Sequence, residues 1–334
     1  MTTKSKKRLK IAGYFFLTIF LLLIIGANLG IKKFENYLFE EKSNFLKYTS
    51  ENKSIPFIWG TKTTENHFEP HVAILIPVKI KGLKHKFYVQ FDTGSPYSYI
   101  YEKDFKSLKK IGFNLNEIEK KKGSFIDKFN FLLNDNLIKS SMFKLYKNYG
   151  NTFDENDTIR RIKIGTIGSD FLDNRITAID FKNQTIQFFN EKPNWMKNYK
   201  FNPFKYKGRR ILFPVEINKQ KLELIYDSGC SAFGLITSKN RYVNFTEQKT
   251  KEINYVGKRW GDDLPIHHKE SKKWMKIGNE RLTLIRVSYV DMYANFQHLL
   301  TPFTKIGGWL GNKPFLESTL IIDTKNKTFY ILKN

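Results

Sequence analysis

The sequence predicts a mainly β chain of two duplicated barrel-like lobes behind an N-terminal membrane helix. Three observations predict it. A stretch of about 130 residues occurs twice, the size of a lobe and too long for a solenoid unit. Downstream of residue 69 the apolar residues alternate with polar ones, as strands require, and helical periodicity does not return strongly. Between Ile11 and Ile31 there is no charge at all.

Taken in order, residues 1–10 form a basic tail carrying Lys4, Lys6, Lys7, Arg8 and Lys10. Residues 11–31 match the ~20 needed to span ~30 Å of hydrocarbon as a helix. The basic flank places the tail in the cytoplasm and the remainder outside it, although Lys32-Lys33 weakens the asymmetry. A cleaved signal peptide is the alternative, with Ile25-Gly26-Ala27 near its processing site. Residues 32–68 read as a polar short helix or stalk, with apolar and aromatic residues at roughly helical intervals. The first lobe spans 69–199 and the second 200–334, with the crossing inside Pro193–Lys207.

In the first lobe, Val72-Ala73-Ile74-Leu75-Ile76 and the alternation after it read as a strand, and Gly82 marks a hairpin turn. Residues 102–160 are less periodic, with a short helix and a loop expected in the Lys-rich part. The second lobe repeats the plan with a polar insertion at 238–281. His267-His268 and Asp262-Asp263 lie in that insertion, but neighbouring strand side chains face opposite ways and no ligand spacing recurs, so a solvated loop is expected there and no metal.

The repeat is sharpest at Asp92-Thr93-Gly94-Ser95 and Asp227-Ser228-Gly229-Cys230, each preceded by an apolar run: Phe87–Phe91 and Leu222–Tyr226. A strand that ends this way presents a carboxylate on a tight loop. Each motif has a downstream partner, Ile167-Gly168 and Leu310-Gly311, and each of those glycines stands twelve residues before an aspartate, Asp180 or Asp323. Upstream, Ile76-Pro77-Val78-Lys79-Ile80 matches Phe213-Pro214-Val215-Glu216-Ile217.

This order of motifs resembles an aspartic protease lobe, and its occurrence twice in one chain resembles the two-lobed, pepsin-like arrangement, related in turn to the retropepsin-like half-molecules. The likeness covers roughly residues 70–334. It implies that Asp92 and Asp227 form a catalytic dyad activating water, with Thr93 and Ser228 interlocked beneath it. Gly94 and Gly229 would let the loops meet, and Gly168 and Gly311 would build the ψ-shaped element of each lobe. Asp180 and Asp323 are expected to turn the chain. A flap tyrosine is a family feature, for which Tyr146 and Tyr149 are positional candidates, although an ordinary strand aromatic is the simpler reading of each. Cys230 departs from the pattern: a hydroxyl is expected there to donate to the neighbouring aspartate, as Ser95 would to Asp92. A weaker thiol donor makes Asp227 the expected proton carrier.

The composition sets the partners. Fifty-seven Lys and Arg against 32 Asp and Glu give a net charge of +25, which attracts anionic surfaces. The lysines are scattered, however, and no nucleic-acid motif accompanies them. A single cysteine excludes an intrachain disulfide. The expected partners are a peptide or protein substrate and a membrane, with no cofactor and no nucleic acid. Both aspartates in one chain make a monomer the expected form. Three functions remain open at this level: a membrane-anchored endopeptidase, a catalytically silent peptide-binding protein of the same shape, and a structural envelope protein.

Overall fold

The computed structural model describes residues 54–64, 67–120, 123–134, 136–259, 262–290 and 306–333, together with positions 26, 29, 30, 32, 33, 36, 38–41 and 43–48. The expected membrane helix lies almost wholly outside these. Among the described residues, no helix is long and apolar enough to cross a membrane.

The chain is mainly β, in a two-lobe-like arrangement of three sheets. Strands between Leu46 and Ile167 make an eleven-stranded sheet, and strands between Lys205 and Leu310 make an eight-stranded one. A six-stranded sheet joins them. At its centre Ile176–Asp180 of the first half pairs antiparallel with Ser318–Asp323 of the second, Ala178 facing Ile321. Each of these strands turns back into a partner, Thr185–Phe189 or Thr328–Lys333. Asp180 and Asp323 make both turns the same way: the carboxyl of Asp180 accepts from Asn183 N and Nδ2 (2.9 and 2.8 Å), and that of Asp323 from Asn326 N and Nδ2 at the same distances.

The alternation read from the sequence is the one observed. Lys86–Phe91 buries Phe87, Val89 and Phe91, and Arg210–Ile217 buries Ile211, Phe213, Val215 and Ile217. These side chains join one apolar core running through both lobes. The hairpin turns carry their own signal. Gly208-Arg209 and Asn218-Lys219 all have positive φ, as two-residue hairpin turns require, and the flanking strands pair across each.

Two sequence expectations are corrected. Residues 32–68 are not all stalk: Leu46–Tyr48, Ile55–Pro56 and Ile58–Thr64 are strands in the sheets, so the folded body begins well before residue 69. Lys32, Lys33, Asn36, Leu38 and Phe39 are helical, whereas edge pairing with Asn136–Ser140 makes Leu46–Tyr48 a strand. The 238–281 insertion is ordered structure instead of a loop. It holds a helix, Lys239–Phe245, and a long hairpin from Ile253–Arg259 into Asp262–Ile277.

A buried carboxyl in the first lobe gives a pH-dependent stability. Asp104, in the helix Glu102–Lys110, is fully buried. Burial pushes its carboxyl up to about 7, against the pull of the Asn151 N–H, which it accepts at 3.0 Å. The folded chain therefore holds a proton that the unfolded chain releases near pH 4, and stability falls as pH rises from about 4 to about 7. The loss is of order 3–4 kcal/mol at most. Asp104→Asn keeps the acceptor and removes the titration. Urea unfolding should find the variant close to the parent near pH 4 and more stable near pH 8. Equal stability of the two proteins near pH 8 contradicts this account.

Candidate active site

Asp92 and Asp227 stand at the ends of the inner strands Lys86–Phe91 and Gln220–Tyr226. Each strand runs parallel to a later strand of its own lobe, Arg161–Ile167 or Ile306–Leu310. The same bond closes both junctions: Asp92 N donates to Ile167 O and Asp227 N to Leu310 O, each at 2.9 Å. Gly168 and Gly311 then pass so close to the loops that a Cβ would strike carbonyls, those of Tyr97 and Ser95 in one lobe and of Cys230 and Phe233 in the other.

The two loops are tied to each other through a reciprocal exchange of hydroxyls. Thr93 N donates to Ser228 Oγ and Ser228 N to Thr93 Oγ1, both at 2.9 Å. Each hydroxyl then donates across to a carbonyl of the other lobe: Thr93 Oγ1 to Tyr226 O (3.2 Å) and Ser228 Oγ to Phe91 O (3.0 Å). Both side chains are fully buried, and each hydroxyl both donates and accepts. Above this lattice, Gly94 lies against the Asp227 carboxyl and Gly229 against that of Asp92; a Cβ on either would collide with it. Only glycine lets each backbone lie under the opposing carboxyl.

The two carboxyls are held by different groups. Burial pushes the Asp92 carboxyl well above the usual carboxylate range, and the charge of Asp227 and the hydrogen bond between the two push the same way; Arg210 and the Gly94 N–H oppose this. Asp227 accepts from Gly229 N at 2.9 Å and from the Cys230 thiol at 3.3 Å. The geometry corrects the expectation about Ser95. Ser95 Oγ donates to Tyr97 O at 2.6 Å, inside its own turn, while the thiol does reach its aspartate.

All the predicted dyad and ψ-loop residues thus come together in one place. Tyr146 and Tyr149 do not join them: they pack edge-on to each other at 5.5 Å and against Tyr99 and Tyr101, as ordinary lobe aromatics. His267 stacks on Tyr289 and pairs with Glu252 at 3.1 Å, and His268 is buried on the neighbouring position. Among the described residues, no group of three or more His, Cys, Asp or Glu is placed to hold a metal ion.

Sequence reasoning missed the charged residues that pair across the lobes: Glu69 with Arg286 and Lys313, and Asp173 with Arg209. One signal was available. Asp170 and Lys313 occupy the same place after Gly168 and Gly311, so the repeat reverses charge there.

No family model matches the chain, and no curated protein matches it. Among solved structures, the crystal structure of an aspartic proteinase from Irpex lacteus overlaps 84% of this chain and 97% of its own, with 12% identity and a TM-score of 0.46. A likeness at that level leaves the chemistry to be argued from the side chains.

Proposed function

We propose that this protein is an aspartic-type endopeptidase, tethered by residues 11–31 with its body outside the cytoplasm and working as a monomer. The observation that carries the reading is the pair Asp92 and Asp227, hydrogen-bonded to each other above a reciprocal hydroxyl lattice. Neighbouring carboxyls that cannot both ionise easily share a proton, and in this reading it rests on Asp92, whose carboxyl burial and the charge of Asp227 push up.

The chemistry follows from the shared proton. The Asp227 carboxylate takes a proton from water as the water oxygen bonds to a peptide carbonyl carbon. Asp92 gives its proton to the carbonyl oxygen. The resulting gem-diol collapses: the nitrogen takes the proton now on Asp227, the C–N bond breaks, and one gem-diol hydroxyl returns its proton to Asp92. The products are a carboxylic acid and an amine, with the dyad again holding one proton. Arg210 and the Cys230 thiol moderate the two carboxyls without entering the bond changes.

The test is cleavage of a mixed peptide pool by the full chain in detergent, across acidic to neutral pH, with binding of a statine peptide measured in parallel. Cleavage that statine blocks supports the proposal. Statine binding without cleavage gives the silent peptide-binding reading instead, and neither result leaves the envelope-protein reading. Membrane fractionation and protease added to intact cells check the tether and its orientation.

A further inference from the structure

Each lobe sends the hairpin that precedes its aspartate strand across to the other lobe, and each hairpin carries a charge to the loop that follows the opposing aspartate. In the second lobe the hairpin turn carries Arg209. Its Nη1 donates to Pro96 O at 3.1 Å, four residues past Asp92, and its Nε donates to Asp173 at 2.8 Å. In the first lobe the strand His67–Lys79 carries Glu69. Lys313 Nζ donates to Glu69 Oε1 at 2.9 Å, and Arg286 Nη1 donates to Glu69 Oε2. Arg286 Nη1 also donates to Ala232 O at 3.2 Å, five residues past Asp227. The grip on the second loop is therefore indirect, through an arginine that Glu69 holds in place.

The energetics of the Glu69 contact are unlike those of a stabilising ion pair. All three side chains are buried. Burial raises the Glu69 carboxyl, but the hydrogen bonds and charges of Lys313 and Arg286 outweigh it and hold the group at about 2. One carboxylate faces two cations, so a surplus positive charge is enclosed. Apolar side chains of similar volume commonly hold a fold together as well as a buried ion pair does, whereas an ion pair fixes register. The backbone points the same way. Ile285, beside Arg286, is a β-branched residue held at φ 60° where the pairing of its strand slips, between Ser271 and Trp274. A side chain of that shape takes positive φ only under constraint from its surroundings. Leu284 and Arg286 are buried on either side of it.

Resting on the endopeptidase reading, we infer that Glu69 and Arg286 are positioning residues for the dyad. Glu69 lies on the strand that pairs, through Ile74, with Phe91 just before Asp92. Arg286 grips the loop after Asp227. The bond between them ties one carboxyl loop to the other, and Arg209 makes a second such tie at Pro96 O.

The double variant Glu69→Gln/Lys313→Met tests this. It removes the carboxylate while leaving the enclosed charge unchanged, with Arg286 the remaining cation. The readout is the split between kcat and KM, together with the affinities of a statine peptide and of an uncleaved ground-state peptide. The expected result is a fall in kcat of about thirtyfold or more with KM nearly unchanged, since reacting groups displaced by a fraction of an ångström lose rate before binding. Statine affinity should fall in parallel and ground-state affinity should hold. The two affinities read the same displacement in a protein that binds without cutting, so failure of the endopeptidase reading is seen separately. Unchanged kcat and statine affinity overturn the inference. So does collapse of the fold, which makes the contact structural alone.

Discussion

Asp92→Asn and Asp227→Asn should each reduce peptide cleavage by about a thousandfold or more while leaving the folded chain intact. The two losses have different origins. Asparagine at 227 removes the anion that takes the water proton. Asparagine at 92 keeps a neutral, hydrogen-bonding group of the same shape but has no acidic proton to lend to the carbonyl. Stability separates them further. Because the Asp92 carboxyl is pushed up in the folded chain, its contribution to stability is lost as pH rises through its raised value. Asp92→Asn has no such loss and should resist unfolding at alkaline pH better than the parent. Rates on one peptide and melting curves at mildly acidic and alkaline pH provide the check. Appreciable cleavage by either variant removes the aspartates from the chemistry.

Thr93→Val should be nearly as damaging, although Thr93 touches no reacting atom. Valine has the same shape and no hydroxyl, so Ser228 N loses its acceptor and Tyr226 O its donor inside a buried lattice. A buried N–H left without a partner costs about 1–3 kcal/mol. The loops that carry the carboxyls are then free to separate, and a misplacement of about 1 Å costs around a hundredfold in rate. Thr93→Ser keeps both bonds and should stay close to the parent. Denaturation midpoints and kcat for the three proteins decide the matter: a valine variant that matches the serine variant would show that the lattice holds nothing in place.

The lobes and the dyad were legible because their determinants are local and occur twice. An apolar run, an aspartate, a small hydroxyl and a glycine define the strand end at Asp92, and the same pattern at Asp227 removes the ambiguity of either alone. The interlobe contacts had no such signature. In a chain with 57 basic residues, nothing marks Arg209 or Arg286 as different from the rest, and Lys313 stands out only against Asp170 in the repeat. Their roles come from pairing between distant strands. Glu69 lay at the boundary of the supposed stalk because the hairpin beneath it is completed by Ile58–Thr64, a strand whose partner settles its conformation. Ser95 misled for a narrower reason: its hydroxyl has a closer acceptor in its own turn, at Tyr97 O.

The register of the central sheet bears on how such a chain arose. Ile176 faces Asp323, Asp180 faces Thr319, and Ala178 faces Ile321. Counted from the aspartates that end the two strands, Ala178 and Ile321 are the same position, so the pairing reads alike from either half. A half-length ancestor carrying one such strand would meet a second copy of itself in this register without any new contact. Fusion of two gene copies would then keep the joint and release each half from identity with the other. The unlike residues at 95 and 230, and the acid on one hairpin against the base on the other, are differences that two identical subunits could never have acquired.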